Sequence, residues 1–395
     1  MRIIHLCSSG RVGGVETSVI AMIESFRAVE PAWDVAAIAP EQAAFLDRAR
    51  RLGCQTTALP FPRALARFGE AAAQKGMVGR GSAGLAALAY VMRLRRTLRR
   101  LAPDVVHAHG IKMLVLSGWA APARARLVWH VHDYVAGRDA SARALRAASG
   151  RCRAVIANSR SVADDFRARV PGRAPVTVVY NAVNVDRFAP DGPRIDLDRL
   201  AGTGSSEPHP VRIGLAATLG RWKGHEVFLR ALSRLPPDRR WRAYVIGDAV
   251  YQTHGSQWSM AELKALAREL GLEGRVAFTG LIEDMPAALR SLDIVVHAST
   301  QPEPFGMSIA EAMACGRPIV VAMAGGAAEL VRHGVDAIEY PPGDDAALAR
   351  AIAALVEDAE CRNRLGEEAR RTATRAFDAR RLGPELRRVY ETASN

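Results

Sequence analysis

The chain has 395 residues, of which 49% are hydrophobic and 24% are charged, and its formal net charge at pH 7 is +13. This length suffices for two domains that each bury a core, and the composition excludes a disordered or fibrous chain. The five cysteines are scattered and form no CxxC pair, and no apolar run approaches the ~20 residues that cross a bilayer.

The chain begins with a predicted strand over residues 2–7, which leaves no room for a signal peptide and, with the unpaired cysteines, favours a cytoplasmic protein. A glycine-rich turn with Gly13 and Gly14 follows, and then an apolar-periodic helix over 18–26. Such a turn offers backbone N–H groups to an anion or a hydroxyl, although its spacing is not G-x-G-x-x-G.

Residues 61–101 form a basic segment with nine Arg or Lys against one Glu, a local balance of +8. Leu85, Leu88 and Met92 recur among these charges at helical spacing. The pattern predicts a helix that lies on an anionic membrane surface, and the alternative is a solvated basic helix face. No nucleic-acid partner is expected.

Two predicted strands, 103–110 and 127–134, carry histidine pairs toward their carboxyl ends. Alternate residues of a strand share a face, and open α/β sheets bind ligands at the carboxyl ends of their strands. His132 is therefore a candidate functional residue and His109 a weaker one, against the alternative of hydrogen-bonded core histidines. The next strand ends at Asn158, which is interpreted as a helix cap.

Residues 190–210 are rich in Pro and Gly among polar residues, which predicts the domain boundary. The second half opens with a strand over 211–216, followed by a loop that carries Arg221 and Lys223. Two cations just past a strand can face a diphosphate, and the alternative is two exposed charges on a turn. A later strand ends at Gly280.

A strand over 293–298 is followed by a loop with Glu303 and a helix over 308–315. The start of this helix points free N–H groups at the carboxyl end of the strand, where an anion is expected. Glu303 and Glu311 flank the helix start, and carboxylates accept hydrogen bonds from sugar hydroxyls. The alternative for Glu311 is a capping box with Ser308. The combination suits a nucleotide sugar.

The stretch over 302–318 reads Pro-Glu-Pro-Phe-Gly-Met-Ser-Ile-Ala-Glu-Ala-Met-Ala-Cys-Gly-Arg-Pro. With its two glutamates eight positions apart, it resembles the group 1 (family 4) retaining glycosyltransferases. The resemblance implies the α/β GT-B fold: two Rossmann-like domains facing across a cleft. It predicts an acceptor-binding domain over 1–190, a nucleotide-sugar-binding domain over 191–375, and a C-terminal helix over 376–395 that crosses back to the first domain.

The same resemblance assigns site residues. It makes His132 and Glu303 catalytic, and it places Gly13, Gly14 and His109 on the acceptor side or in the cleft. The donor-binding residues that it implies are Arg221, Lys223, Gly280, Leu281, Phe305, Gly306, Met307, Ser308 and Glu311.

Together these features predict transfer of a sugar from a nucleoside diphosphate sugar, UDP rather than GDP, to a hydroxyl acceptor. The acceptor is expected to be a lipid-linked or cell-surface glycan precursor, with a soluble small molecule as the alternative. Other possibilities are a nucleotide-sugar 2-epimerase on the same fold and a non-catalytic binding protein. The protein is expected in the cytoplasm, peripheral at the inner face of the plasma membrane.

The expected reaction needs no metal and no other cofactor. The helix start, Arg221 and Lys223 supply the positive charge for the leaving diphosphate, and no D-x-D motif stands at a strand end. No side chain stands out as a general base for the acceptor, so the departing phosphate oxygen is expected to take the proton. The acceptor then arrives on the face that the diphosphate leaves, which predicts retention of the anomeric configuration.

Overall fold

The computed structural model describes residues 1–11, 13–66, 78–202, 210–238, 240–249 and 255–393. Two compact units divide the chain: Met1–Ala182 with Ala379–Asn395, and Val183–Asp378. The predicted boundary stretch over 190–210 falls in the second unit, and its residues 203–209 lie outside the described residues.

A parallel sheet forms the centre of the first unit. Its strands in the described residues run in the order β3-β2-β1-β4-β5-β6-β7. Because helices cover both faces, the central strands are buried almost throughout and consist mainly of apolar residues and histidines. The strands are β1 (Arg2–Leu6), β2 (Asp34–Ala39), β3 (Gln55–Ala58), β4 (Val105–His109), β5 (Arg126–Val131), β6 (Cys152–Ala157) and β7 (Val176–Val178).

Helices connect these strands and pack on both faces of the sheet. They are α1 (Gly14–Val29), α2 (Ala44–Arg51), α3 (Arg63–Ala66), α4 (Val78–Leu101), α5 (Ile111–Ala120), α6 (Asp139–Ala148) and α7 (Arg160–Arg169). Helices α4 to α7 bury their apolar side chains against one face. The other face is covered by α1, α2 and the chain's last helix, α15 (Leu382–Thr392), which packs on α1.

The second unit repeats this architecture. Its parallel strands, in the part of the chain described, run in the order β10-β9-β8-β11-β12-β13. They are β8 (Val211–Ala216), β9 (Trp241–Ile246), β10 (Val276–Gly280), β11 (Ile294–His297), β12 (Ile319–Ala322) and β13 (Ile338–Tyr340). The helices are α8 (Leu197–Leu200), α9 (His225–Ser233), α10 (Met260–Glu269), α11 (Met285–Arg290), α12 (Met307–Ala314), α13 (Asp345–Glu357) and α14 (Ala359–Ala376).

The strand order of each sheet reverses once, between β1 and β4 in the first unit and between β8 and β11 in the second. The loops at the carboxyl ends of such strand pairs diverge to opposite faces and leave a crevice where α/β proteins bind ligands. The prediction of two Rossmann-like α/β halves, with the last helix on the first half, is confirmed.

Among the described helices, none combines the length and the apolar character needed to span a bilayer.

Candidate active site

The clearest cluster of predicted site residues lies at the carboxyl ends of β8 and β11. After β8 the chain makes a 3-10 turn over Arg221–Lys223, and a backbone bond from Thr300 N to Trp222 O, 2.8 Å long, ties this turn to the loop after β11. Gly224 has a φ of +74°, and a Cβ there would lie 1.7 Å from the Ala298 carbonyl oxygen. Only glycine lets the two loops approach this closely.

Lys223 and Glu303 meet in this cluster as an ion pair. The Lys223 ammonium lies 2.9 and 2.8 Å from the two carboxylate oxygens of Glu303. Ser299 Oγ donates a third hydrogen bond to the same carboxylate at 2.8 Å. Burial alone would raise the pKa of Glu303, but the charge of Lys223 and the hydrogen bonds around it hold that pKa well below its usual range. Glu303 is therefore a carboxylate that only accepts hydrogen bonds.

The backbone of Glu303 is fixed by the loop after β12. Its carbonyl oxygen accepts a 2.7 Å hydrogen bond from Gly326 N, and its own N–H donates to Ala324 O at 3.3 Å. Two bonds to one loop hold the residue at both of its backbone polar groups. The two bonds therefore fix the backbone position from which the Glu303 carboxylate extends.

Helix α12 begins at Met307, with Gly306 as its N-cap at φ 98°. The first-turn N–H groups of Met307 and Ser308 have no partner within the helix, so they are available to an anion. Gly306 caps the helix without a side chain, and Ser308 lies inside the first turn. The capping-box interpretation of Ser308 and Glu311 is therefore wrong, because the helix starts two residues earlier than the S-x-x-E pattern requires.

The other predicted residues beside α12 differ in character. The Phe305 ring is buried and packs edge-on against Phe377, with ring centroids 5.9 Å apart. Its side chain is part of the core, so only its backbone can face a ligand. Burial raises the pKa of the Glu311 carboxyl to about 7, although Arg187 opposes this shift. Near neutral pH Glu311 therefore changes between acid and carboxylate.

The structure does not bring Arg221 to the Glu303 carboxylate. Its guanidinium stacks over the Trp258 ring at 3.9 Å and pairs with Glu262 at 3.0 Å. Gly280 ends β10 with φ at +69°, and the next residue, Leu281, is 68% exposed. An exposed leucine at a strand end offers an apolar surface on which the base of a nucleotide can pack. The donor roles of these residues stay predictions.

The glycine-rich turn of the first unit leads into α1. Gly13 is the N-cap, and its N–H donates to the Glu16 carboxylate at 3.1 Å. A Cβ on Gly14 would meet nothing within 4 Å, so the fold itself does not require glycine at that position. The acceptor-side roles of Gly13 and Gly14 stay predictions.

His109 and His132 are directly connected in the first unit. His109 Nδ1 lies 3.0 Å from His132 Nε2, and burial lowers the pKa of His132 to about 3. Asn158 Nδ2 donates to the backbone oxygen of His132 at 3.2 Å, whereas the cap of α7 is Ser159. The interpretation of Asn158 as a helix cap is therefore wrong, because the helix begins one residue later and Asn158 holds His132.

Two groups of histidines lie close enough to be considered as metal ligands: His5, His107 and His109, and His109, His130 and His132, with ring nitrogens within 4.8 Å of one another in each group. A metal bound to imidazole lies near the plane of the ring, along the nitrogen lone pair. The rings of His130 and His132 are stacked at 4.0 Å with planes only 16° apart. One ion cannot lie in both planes, so the group of His109, His130 and His132 does not suit a shared metal.

Two residues of the cluster in the second unit are not singled out by the sequence. Ser299 donates to Glu303, and His297, the last residue of β11, places Nε2 3.5 Å from the same carboxylate. Their positions just before and after the end of β11 are the only sequence signal. Such positions are common to many α/β loops, so the signal identifies the edge of the sheet and no function.

Two family models match this chain. The Glycosyltransferase Family 4 model matches residues 12–187, and the model for glycosyl transferases group 1 matches residues 206–372. A D-inositol 3-phosphate glycosyltransferase from Xylanimonas cellulosilytica is 33% identical over 250 residues, 61% of this chain and 57% of the relative. The lipopolysaccharide core biosynthesis mannosyltransferase LpcC from Rhizobium leguminosarum bv. viciae is 31% identical over 218 residues, 55% of this chain and 60% of the relative. The matched region thus spans less than two thirds of either relative.

Solved structures resemble the whole chain. Anabaena Alr3699/HepE in complex with UDP and glucose superposes with a TM-score of 0.81 at 28% identity, covering 99% of both chains. HepE in complex with UDP-glucose gives a TM-score of 0.79 at 28% identity, covering 100% of this chain and 99% of the other. WaaG, a glycosyltransferase involved in lipopolysaccharide biosynthesis, shares the fold at 16% identity, with a TM-score of 0.68 and 98% of both chains covered.

Proposed function

Because the chain belongs to the group 1 and family 4 glycosyltransferases, we propose that it transfers a sugar from a nucleoside diphosphate sugar to a hydroxyl acceptor with retention of configuration. The observation that carries the proposal is the Lys223–Glu303 pair beside the free N–H groups of α12. In this arrangement a cation and helix N–H groups are available to bind phosphate, and a carboxylate that stays ionised is available to accept hydrogen bonds from hydroxyls.

Each part of this cluster has a proposed task. Lys223 and the N–H groups of Met307 and Ser308 bind the diphosphate and stabilise the charge that it gains as it leaves. Glu303 accepts hydrogen bonds from the hydroxyls of the transferred sugar, and Glu311 does the same for the nucleoside. In the first unit, His132 is proposed to hydrogen-bond the transferred sugar. These fixed charges replace a metal ion, so EDTA is expected to leave the rate unchanged.

Retention is supported by the acid–base properties of the candidate groups. A general base works best when its pKa lies near the working pH. The pKa of His132 is lowered to about 3, and that of Glu303 is held well below its usual range. Neither takes a proton from an acceptor efficiently at neutral pH. The pKa of Glu311 is about 7, but its proposed partner is the nucleoside and not the acceptor. The departing phosphate oxygen is therefore the proposed proton acceptor, which places donor and acceptor on one face of the sugar.

The proposed donor is a UDP-sugar, because the HepE structures contain UDP, UDP with glucose, and UDP-glucose. The proposed acceptor is a lipid-linked or cell-surface glycan precursor, in line with relatives named for lipopolysaccharide core biosynthesis. A soluble acceptor, as in the D-inositol 3-phosphate relatives, is the alternative outcome. Thermal-shift screening of UDP, GDP and ADP sugars tests the donor, since a bound ligand raises the melting temperature. The largest shift with a GDP or ADP sugar would overturn the UDP assignment.

Donor affinity is expected to depend on pH through Glu311. Its pKa is raised to about 7, so the folded protein holds a proton there up to neutral pH, and the hydroxyl-accepting carboxylate forms above it. If binding needs the carboxylate, UDP affinity rises about tenfold from pH 6 to pH 8, because the competent fraction rises by that factor. Calorimetry of UDP binding measures this rise.

Glu311→Gln supplies the control for this pH dependence. The titration of UDP itself is common to both proteins, so the difference between them isolates Glu311. The variant is expected to show a flatter dependence across pH 6 to 8. Identical pH profiles for wild type and variant would contradict the role of Glu311.

We further infer that α4 docks on an anionic membrane surface. Leu85, Leu88 and Met92 are 73%, 60% and 45% exposed, and the exposed Arg93 and Arg96 lie close to them in sequence. The opposite side of the helix packs into the core. Residues 67–77 of the basic segment lie outside the described residues, as do the side chains of residues 78–83. An apolar stripe flanked by arginines suits the boundary between lipid head groups and acyl chains.

Replacing Arg93 and Arg96 together by Glu is expected to weaken binding to anionic vesicles by at least about 20-fold, since each Arg near such a surface contributes about 1 kcal/mol. Co-sedimentation with vesicles of increasing anionic lipid content measures this, and added salt should also weaken binding. Arg143→Glu, on the exposed face of α6, is the control. Vesicle binding that ignores anionic lipid and salt would contradict the inference.

A further inference from the structure

A row of five buried histidines lies on one face of the first sheet, across its three central strands. His5 of β1 is in register with His107 of β4, and His109 is in register with His130 of β5. The same face is covered by apolar side chains of α1 and α15. The row consists of His5, His107, His109, His130 and His132, all buried. Burying five imidazoles costs free energy unless they are hydrogen-bonded, so packing alone does not explain why histidines occupy these positions.

Three of these rings are joined end to end by hydrogen bonds. His5 Nδ1 lies 3.0 Å from His109 Nε2, and His109 Nδ1 lies 3.0 Å from His132 Nε2. The outer nitrogens, His5 Nε2 and His132 Nδ1, have no hydrogen-bond partner among the described residues. Burial lowers the pKa of His5 and of His132 to about 3, so the rings are neutral at physiological pH.

A neutral imidazole has one N–H donor and one acceptor nitrogen, which leaves this chain only two arrangements. In one, His132 Nε2–H donates to His109, His109 donates to His5, and the free Nδ1 of His132 is an acceptor. In the other, all the bonds reverse, and His132 Nδ1 carries the proton. His109, the middle ring, cannot change its tautomer alone, because both of its nitrogens are hydrogen-bonded to the other two rings. The two arrangements differ in whether the buried Nδ1 of His132 carries a proton or a free lone pair.

We propose that His109 and His5 are positioning residues that fix the ring and the tautomer of His132 through this two-bond relay. The proposal rests on the proposed role of His132 toward the sugar. Asn158 holds the backbone oxygen of His132, and the relay holds its ring. The relay thereby ties the tautomer of His132, and so the state of its buried Nδ1, to the tautomers of His109 and His5.

The other two histidines of the row show that burial alone does not produce the relay. His107 Nδ1 is paired with the Tyr390 hydroxyl at 2.8 Å. His130 has no hydrogen bond at either ring nitrogen within the described chain, although its ring stacks on His132. His130 therefore shares the packing of the relay rings and none of their bonds. It is the matched control position.

The test compares two variants of His109 that each keep one of its bonds. His109→Asn places an amide where Nδ1 was and keeps a partner for His132, whereas His109→Gln places it where Nε2 was and keeps only the bond to His5. The tautomer of His132 in the ligand-free protein is measured by nitrogen-15 NMR of its ring. We expect one tautomer in the wild type, a fixed ring in the Asn variant, and averaged tautomers in the Gln variant.

Kinetics supply the second readout. We expect kcat to fall at least tenfold in the Gln variant and less than threefold in the Asn variant, with donor KM within twofold in both. A packing role predicts the reverse order, because Asn leaves the larger cavity. His130→Phe, which keeps the stacked ring, should leave the His132 spectrum unchanged.

A single tautomer of His132 in the Gln variant, with the wild-type population, would overturn the relay. The NMR measurement needs no substrate, so it decides the relay even if the chain proves inactive as a transferase. If the His109→Gln variant does not fold, His5→Asn and His5→Leu are compared in place of the two His109 variants. Asn at position 5 keeps a hydrogen-bond partner for His109, and Leu removes it. Equal His132 spectra in those two variants would equally overturn the relay.

Discussion

Lys223→Ala is expected to weaken UDP binding by about 50-fold, because a charge-assisted hydrogen bond to phosphate contributes roughly 2–3 kcal/mol. The Lys223 side chain is only 20% exposed, and it extends from the 3-10 turn to the Glu303 carboxylate, so its position is fixed before UDP binds. The variant also leaves the Glu303 carboxylate without its cation, so the melting temperature should fall. Calorimetry with UDP measures the affinity directly.

Arg230→Ala is the matched control for this experiment. Arg230 lies on α9 in an exposed ion pair with Glu226 at 2.9 Å, so its removal changes the net charge equally without touching the cluster. We expect its UDP affinity to stay within twofold of the wild type. Equal UDP affinity for Lys223→Ala and wild type would remove Lys223 from the phosphate site.

Glu303→Gln is expected to lower kcat by about 100- to 1,000-fold while UDP affinity stays within threefold, because electrostatic contacts at the reacting sugar act mainly in the transition state. Glutamine keeps the shape and can still accept from Ser299, but it carries no charge. Lys223 then loses its internal partner, which leaves the ammonium more available to phosphate. Initial rates at saturating donor measure kcat, and calorimetry measures the UDP affinity.

Glu226→Gln removes a carboxylate from the exposed pair on α9 and serves as the control for Glu303. We expect its kcat to match the wild type. If Glu303→Gln turned over at the wild-type rate, the carboxylate would have no part in the reaction. If it instead lost UDP affinity 50-fold at unchanged kcat, its role would be structural support of Lys223.

The sequence predicts the alternation of strands and helices well, because buried parallel strands are apolar runs and the helices between them are periodic. It also identifies Lys223 and Glu303 separately. Their ion pair could not be predicted, since it depends on a backbone bond between Thr300 and Trp222 and on the close approach at Gly224. Contacts between loops that are 80 residues apart leave no local pattern.

Two helix starts show the same limit at short range. Ser308 matched the capping pattern and Asn158 matched cap chemistry, but each helix is capped by a neighbouring residue instead, Gly306 and Ser159. The left-handed backbone of Gly306 decides the first case, and it cannot be inferred from side-chain chemistry. The histidine relay needed the pairing of β1 with β4, which joins residues about one hundred positions apart.

Proton NMR of the fresh transfer product tests the central claim most directly. The protein is incubated in EDTA with UDP-glucose, or with the UDP-sugar that gives the largest thermal shift, and with a lipid-linked glycan acceptor. Retention, with neither His132 nor Glu303 able to act as the base at neutral pH, predicts an α-linked product from an α-linked donor. A β anomeric coupling from a gluco-configured α donor would contradict the account, and it would direct attention to Glu311, whose pKa of about 7 suits a general base.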